Sequence, residues 1–486
     1  MLFMGIDIGT QGVRTIVSDE GGNIAAGASV PFEILNIAEM PGYYEQSPDT
    51  WWKSASEAIT RTVFQLKSKG HVPSDIRSVA IDGTSGTILP IDANNRPLYS
   101  GIMYNDMRSE NETRAVQELG SAHENKMGLR FNASFSLPKF LWIRRNKPEI
   151  FEKAKLIIHQ SDYITGMLCG EFGYSDYSNS LKTGYDLIDN CWPEFIDGLG
   201  LDRSKLPAIT APGEIIGKIS EYASERLGLS TSTYVTAGAT DGYSSALSAG
   251  AVRTGDWATI LGTTMVLKGV SESIVIDPNG SSYCHKLPTD KWMIGGASNI
   301  GGRCLNNRFE KDEFARYDKS VDQLSPTGVL IYPLTGTGER YPFVDRSASE
   351  FIIGDISDKR ILFTALMEGV GYTERLAYDL NERMGCSIGS EICSSGGACR
   401  SDEWLRIRAS ILGRSIKVPV VVDATMGSAM LAASKTYFKN LEEASQSMIA
   451  FSKTVEPVTE NVDKYNELYL TFFEQCKQRF DIGVTT

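Results

Sequence analysis

One short pattern appears in both halves of the chain and restricts the fold more than any other feature: an apolar strand, a turn of glycine and threonine, and a second strand returning. The first copy runs Leu2-Phe3-Met4-Gly5-Ile6-Asp7, turns through Ile8-Gly9-Thr10-Gln11-Gly12, and continues as the alternating Val13 to Asp19. The second runs Asp256 to Leu261, turns at Gly262-Thr263-Thr264, and continues through Met265 to Lys268. Such repetition predicts two similar domains meeting near residues 250 to 256, with the cleft between them as the natural site. The length of 486 residues agrees, because one hydrophobic core seldom organises so long a chain.

The stretches between these hairpins mix helix and strand. Ser47-Pro48-Asp49-Thr50 offers a capping residue, a proline suited to a first helical turn and early negative charge. The apolar positions 52, 55, 59, 63 and 66 then define a helix with one buried face. Strand-like runs at Val79 to Asp82, Ile88 to Asp92 and Leu156 to His159 alternate with helical stretches, which predicts an α/β architecture. In the second half, Tyr372, Leu376 and Leu380 closed by Gly385, and Trp404, Ile407 and Ile411 closed by Gly413, read as helices. An amphipathic helix through Tyr465, Leu468, Tyr469, Phe472, Phe473 and Cys476 ends the chain.

Charge and residue counts exclude several function classes. Lys and Arg total 48 against 60 Asp and Glu, a net charge of −12, so no broad electropositive surface for nucleic acid or anionic lipid is expected. The eight cysteines are scattered without a C-x-x-C spacing, and none of the four histidines (71, 123, 159, 285) stands in a metal-binding motif. A metal, if present, is one held by oxygen. The start MLFMGIDIGT has neither the basic flank nor the apolar length of a signal peptide, and no 18-residue apolar stretch occurs. A cytoplasmic protein is the expectation.

Four places carry residues suited to chemistry. In Asp7 to Arg14 the glycines let backbone N–H groups approach a phosphate, Thr10 adds a hydroxyl, Arg14 adds charge, and Asp7 can hold hydrated Mg²⁺. An ordinary Gly-rich hairpin carries the same letters; the echo at Gly262-Thr263-Thr264 favours two facing turns that clamp a triphosphate. Ser394-Ser395-Gly396-Gly397-Ala398-Cys399-Arg400-Ser401 leads into a helix, where a flat adenine fits against small residues, although a plain tight turn reads the same way. Asp241, in Ala237-Gly238-Ala239-Thr240-Asp241-Gly242-Tyr243, stands at or near the start of a small-residue helix. Capping explains an Asp there, and so does a fixed carboxylate that takes a proton from a hydroxyl nucleophile.

Taken together the chain resembles the FGGY carbohydrate kinases. The resemblance rests on Gly5 to Thr10, Glu45-Gln46-Ser47-Pro48-Asp49-Thr50-Trp51-Trp52, Tyr104-Asn105-Asp106-Met107-Arg108, Gly262 to Thr264 and Gly396 to Ala398, in the family's order. Most specific is Ser134-x-Ser136-x-x-Lys139-Phe140-x-Trp142-Ile143-x-Arg145-Asn146, which fits the family's first signature at every constrained position. The resemblance implies two similar domains of the actin-like/hexokinase ATPase (ribonuclease H-like) fold with an inter-domain catalytic cleft. Residues 1–253 would form the sugar-binding side and 254–486 the nucleotide-binding side. It implies ATP and Mg²⁺, with Asp241 as catalytic base, Asp7 as catalytic and metal-holding residue, and Ser85, Thr84, Trp51, Gly242 and Asp241 around the sugar. Gly9, Thr10, Gln11, Arg14, Gly262, Thr263, Thr264, Gly396, Gly397, Ala398 and Ser401 would hold the nucleotide. The partner is then a small-molecule sugar, with no nucleic acid, no membrane, and a homodimer left open.

Within Gly83-Thr84-Ser85-Gly86-Thr87, Ser85 and Gly86 stand where glycerol kinases carry Arg-Glu and xylulokinases Met-His. The loop is most similar to relatives that prefer D-ribulose, so a ketopentose, D-ribulose or D-xylulose, leads, phosphorylated at its terminal hydroxyl. Another ketose or polyol, or a non-catalytic ATPase of the same fold, is the alternative. A nicotinamide-dependent dehydrogenase is excluded because no G-x-G-x-x-G opens a helix after the first strand.

Overall fold

The computed structural model describes residues 1–483, which cluster into two compact units. The first comprises Met1–Ser248, His285–Asp290 and Val421–Ala450; the second comprises Ala249–Cys284, Lys291–Val420 and the chain from Phe451 onward. The segment Val421–Ala450, which a division at 253/254 leaves with the second domain, thus clusters with the first unit.

A six-stranded sheet organises the first unit, with Leu2–Ile8 near its middle. All seven residues of that strand are buried, as a strand covered on both faces requires. It pairs antiparallel with Gly12–Asp19, completing the predicted hairpin, and parallel with Ile76–Gly83, in a register that sets Asp7 beside Asp82. The helix Pro48–Ser68 has Pro48 in its first turn and Asp49 near its positive end, and buries Trp51, Trp52, Ala55, Ile59, Val63 and Leu66. The predicted apolar stripe is therefore its core face.

A second helix, Ala424–Ser434, is buried at every position. Asp423 caps it by accepting the Thr425 N–H at 3.0 Å. Two glycines let its backbone touch its neighbours. A Cβ on Gly5 would lie 1.8 Å from the Thr425 carbonyl oxygen, and one on Gly427 would lie 1.9 Å from the Ser244 carbonyl oxygen. Ser244 belongs to the helix Asp241–Ser248, which begins where the strand Tyr234–Thr240 ends. Backbone contact at these points leaves little freedom for the position of Asp241.

The second unit holds a sheet in which Trp292–Ser298, Met265–Ser271, Trp257–Leu261, Glu391–Ser395, Ser415–Pro419 and Phe451–Val455 lie in that order. Trp257–Leu261 pairs antiparallel with Met265–Ser271 and parallel with Glu391–Ser395, the arrangement that Leu2–Ile8 has in the first unit. The internal similarity read from the two hairpins is thus one of topology. The helices Lys359–Arg383, Asp402–Leu412 and Thr459–Arg479 match the three predicted there, and Gly413 closes the second of them at φ 61°.

Between two of these helices, Arg408 and Glu374 form a wholly buried bidentate pair, Nε to Oε2 and Nη2 to Oε1 both at 2.7 Å. Arg408 Nη1 also donates to Ser394 Oγ at 2.9 Å, which ties the pair to the strand entering the Gly396 loop. Removing one member of such a pair strands a charge, so Arg408→Met is expected to cost about 3–5 kcal/mol in urea unfolding. A loss below about 1 kcal/mol would show that Glu374 finds relief elsewhere.

Candidate active site

Three aspartates converge in the first unit. Asp7 ends the first strand, Asp82 lies beside it in the parallel neighbour, and Asp241 opens the helix that follows the next parallel strand. Carboxyl ends of parallel strands are where an open α/β sheet gathers reactive groups. Arg14 Nε donates to Asp7 Oδ2 at 3.0 Å and Arg14 Nη1 to Asp423 Oδ2 at 2.6 Å. Asp82 is fully buried and accepts from Ser428 Oγ at 2.6 Å. Its burial, reinforced by the charge of Asp7, holds its pKa well above the ordinary carboxylate range.

Asp241 is different. Its side chain borders open space, and its Oδ1 accepts the Gly242 N–H at 2.7 Å, which is not the bond to the N–H two or three residues on that defines a cap. Burial of the carboxyl pushes its pKa up to about 6, against the Gly242 N–H that pulls it down; Asp7 raises it further, and Lys182 and the Ser85 N–H lower it. A carboxylate with a pKa near neutrality is suited to accepting a proton.

A cavity of about 790 Å³ lies over these groups, within the first unit. Among the predicted residues it is lined by Asp7, Gly9, Thr10, Gln11, Arg14, Asp241 and Gly242, with Tyr104 and Ser245 added. The Thr10 turn is closed by Gly9 N–H to Gly12 C=O at 3.0 Å and secured by Phe32 N–H to Gln11 C=O at 2.9 Å. Gln46 holds it from below: its Nε2 donates to the Thr10 carbonyl at 2.9 Å and the Leu35 carbonyl at 3.1 Å, while its Oε1 accepts from Trp51 Nε1 at 2.8 Å.

That last bond bears on Trp51. Trp51 was placed against the sugar, but it is wholly buried and absent from the cavity lining. A large ring with its N–H already satisfied packs in the core, and Trp51 serves by orienting Gln46. Thr84 is likewise absent from that lining. Its hydroxyl turns inward to Gln160 Oε1 at 2.8 Å and Thr87 Oγ1 at 2.6 Å, and Gln160 also accepts the Thr84 N–H at 2.9 Å. Ser85 also lies outside that lining, but its buried Oγ has no hydrogen-bond partner among the described residues. Such a group is destabilising unless something else pairs with it.

The second unit has its own cavity, of about 550 Å³, lined by the predicted Gly262, Thr263, Gly397, Ala398 and Ser401 together with Leu305, Phe314, Phe363, Met367 and Trp404. Thr264 and Gly396 lie outside that lining. Ser401 caps the helix Asp402–Leu412 by accepting the Trp404 N–H at 3.0 Å, and its own hydroxyl donates to Asp318 at 2.6 Å. An apolar floor with small residues at its mouth suits a flat heteroaromatic ring. A Cβ on Gly397 would meet nothing within 4 Å, so Gly397→Val places its methyls in the cavity without disturbing the fold. On the expectation that this cavity takes the adenine of ATP, KM for ATP should rise roughly tenfold, a loss of ~1.4 kcal/mol, with the melting temperature unchanged. An unaltered KM would remove this cavity from nucleotide binding.

The donor set also bears on a divalent cation. Among the described residues no cluster of three or more His, Cys, Asp or Glu side chains can enclose a metal. Mg²⁺ is held through one or two carboxylates with water and phosphate oxygens completing its shell, and the hard oxygens of Asp7 fit that mode. Asp82, Gln46 and Lys182 escaped the sequence reading. Asp82 left a signal: Ile81-Asp82-Gly83-Thr84 ends a buried strand much as Ile6-Asp7-Ile8-Gly9-Thr10 does. The other two become recognisable through contacts with distant segments, which no local pattern announces.

The N-terminal domain of the FGGY family of carbohydrate kinases matches residues 2–248, and its C-terminal domain matches residues 251–436. A xylulose kinase of Bacillus subtilis (strain 168) is 28% identical over 484 residues, spanning 96% of this chain and 95% of its own length. A gluconokinase of the same strain is 26% identical over 495 residues, at 96% and 94%. Among solved structures, a xylulose kinase from Rhodospirillum rubrum is similar with a TM-score of 0.86 at 22% identity, covering 98% of this chain and 99% of that one. Among the described residues, no helix is long and apolar enough to cross a membrane.

Proposed function

The chain belongs to the FGGY family of carbohydrate kinases, and from that premise we propose that it transfers the γ-phosphoryl group of ATP to the terminal hydroxyl of a 2-ketopentose, D-ribulose ahead of D-xylulose. The observation that carries this reading is Asp241: a carboxylate with a pKa raised to about 6, bordering the cavity lined by the Thr10 turn and beside the Ser85 N–H. Its task is to accept the proton of the sugar hydroxyl as the new O–P bond forms and the bond to the β-phosphate oxygen breaks, giving the sugar 5-phosphate and ADP. No covalent enzyme intermediate is needed.

The other residues divide by position. Backbone N–H groups of the Thr10 turn, the Thr10 hydroxyl and Arg14 bind and orient phosphate oxygens. Asp7 holds Mg²⁺, with Arg14 fixing the carboxylate's orientation; the cation supplies neutralisation of phosphate charge when bound. In the second unit the cavity at Gly397 and Ala398 takes the adenine, and Gly262 to Thr264 and Gly396 supply phosphate contacts. Cytoplasm is the proposed location, and a homodimer is the assembly to test by light scattering.

Ketopentose preference rests on the 83–87 loop. With Ser85 and Gly86 the pocket lacks the charged fork that holds a small triol, and the unpaired Ser85 Oγ seeks a hydroxyl. Relatives named xylulose kinase support the same class. The test is a steady-state comparison of D-ribulose, D-xylulose, gluconate and glycerol at saturating Mg·ATP. We expect the two ketopentoses to lead in kcat/KM; gluconate or glycerol winning would overturn the substrate class. In the same assay Ser85→Ala should lower kcat/KM for the best sugar several-fold, the ~0.5–1.5 kcal/mol of one neutral hydrogen bond. No change with any sugar would remove Ser85 from the contact.

A further inference from the structure

Lys139 is a charged side chain for which the mechanism has found no use. It lies in the helix Ser136–Asn146 and is entirely buried. Its Nζ donates to three main-chain carbonyls: Ser134 at 2.8 Å, Gly86 at 3.1 Å and Tyr104 at 3.4 Å. Burial holds its pKa well below the ordinary lysine value, Lys182 and Arg108 lower it further, and Asp106 opposes them. Asp106 is already engaged by both Nε and Nη2 of Arg108.

Three acceptors match the three donors of an ammonium. They come from three separate stretches of chain. Gly86 lies next to Ser85 in the 83–87 loop, Tyr104 lines the cavity with Asp241, and Ser134 stands two residues before the helix. Gly86 has φ 97°, and a Cβ there would come within 2.4 Å of the Ser134 carbonyl oxygen, so loop and helix start are pressed together at this point. Packing alone would be served better by an apolar side chain of similar length, because a buried ammonium without a carboxylate partner is unfavourable. Its presence there asks for a role that packing does not supply.

We infer that Lys139 is a positioning residue for the acceptor sugar, pinning the Gly86 and Tyr104 main chains so that Ser85 and the cavity wall present the sugar hydroxyl to Asp241. This rests on the reading of the 83–87 loop as the sugar site. The residue touches neither the sugar nor the nucleotide, so its effect should appear in acceptor binding alone.

The test is Lys139→Met and Lys139→Gln in the full-length enzyme, with D-ribulose and D-xylulose as acceptors. For Lys139→Met we expect KM for the better sugar to rise at least ~10-fold, in line with the effect of displacing a positioning contact by about 1 Å. KM for ATP and the sugar-independent hydrolysis of ATP should stay within about twofold, and the melting temperature should stay level or rise. Gln, which keeps two N–H donors, should fall between Met and wild type and decides the matter if the Met variant is not recovered folded. An unchanged sugar KM, an equal rise in both KM values, or a loss of melting temperature alone would overturn the proposal. Ser85→Ala separates the two readings. If it weakens sugar use while the Lys139 variants do not, the Lys139 role falls and the loop reading stands. If no sugar stimulates ADP release by the wild-type enzyme, the loop reading falls and the Lys139 role falls with it.

Discussion

Asp241→Asn is expected to lower kcat by at least ~10² while ATP binding and melting temperature stay at wild-type values. Asparagine keeps the size and the acceptor oxygen that receives the Gly242 N–H, so the helix start is retained and the capacity to take a proton is lost. The pH profile gives an independent check. A base must be ionised to work, so wild-type kcat/KM should rise with pH through a midpoint near the pKa of about 6 to which burial brings Asp241. That acid limb should vanish from the residual activity of the variant. Turnover within a few-fold of wild type, or an unchanged acid limb, would assign Asp241 to the helix start and nothing more.

Asp7→Asn is the second large effect. Its carboxylate is ligated by Arg14 on one side and neighbours the buried Asp82 on the other, and we assign it to the phosphate and cation side of the reaction. Losing one electrostatic anchor of a transferring phosphoryl group costs about 3–4 kcal/mol, so kcat should fall roughly 10²–10³-fold. Part of the loss should be recovered at higher Mg²⁺ concentration. Calorimetric affinity for the sugar should stay within about twofold of wild type. The fold should tolerate the change, because Asp82 loses a charged neighbour that opposes its own ionisation. A variant that loses sugar affinity and keeps normal Mg·ATP kinetics would put Asp7 on the wrong substrate.

Much of this was legible in the amino-acid order, because the signals are local. Alternation and turn residues gave the hairpins at 2–19 and 257–271, and the 3.6-residue stripe from Trp52 to Leu66 gave the helix Pro48–Ser68. Gly9, Thr10, Arg14 and Asp241 were legible as site candidates because glycine turns and a carboxylate at a helix start have a few chemical uses, and these residues do line one cavity. Trp51 and Thr84, expected beside the sugar, are absent from that lining and show what a motif leaves open. A motif fixes where a residue stands in the chain, while burial and hydrogen-bond partners decide which way its side chain turns.

What tertiary structure alone decided is everything that depends on pairing between distant segments. The parallel register of Leu2–Ile8 with Ile76–Gly83 puts Asp82 beside Asp7, and a shift of one residue would separate them. The Ala424–Ser434 helix returns from far along the chain to lie against Gly5 and Ser244, bringing Asp423 to Arg14 and Ser428 to Asp82. Lys139 reads in sequence as one letter of a signature, and only the folded chain gathers Gly86, Tyr104 and Ser134 around its ammonium. The physical reason is common to all three. Hydrophobic periodicity is a property of neighbouring residues and can be read along the chain, whereas a buried polar group must be satisfied by whichever backbone or side chain the packing brings to it.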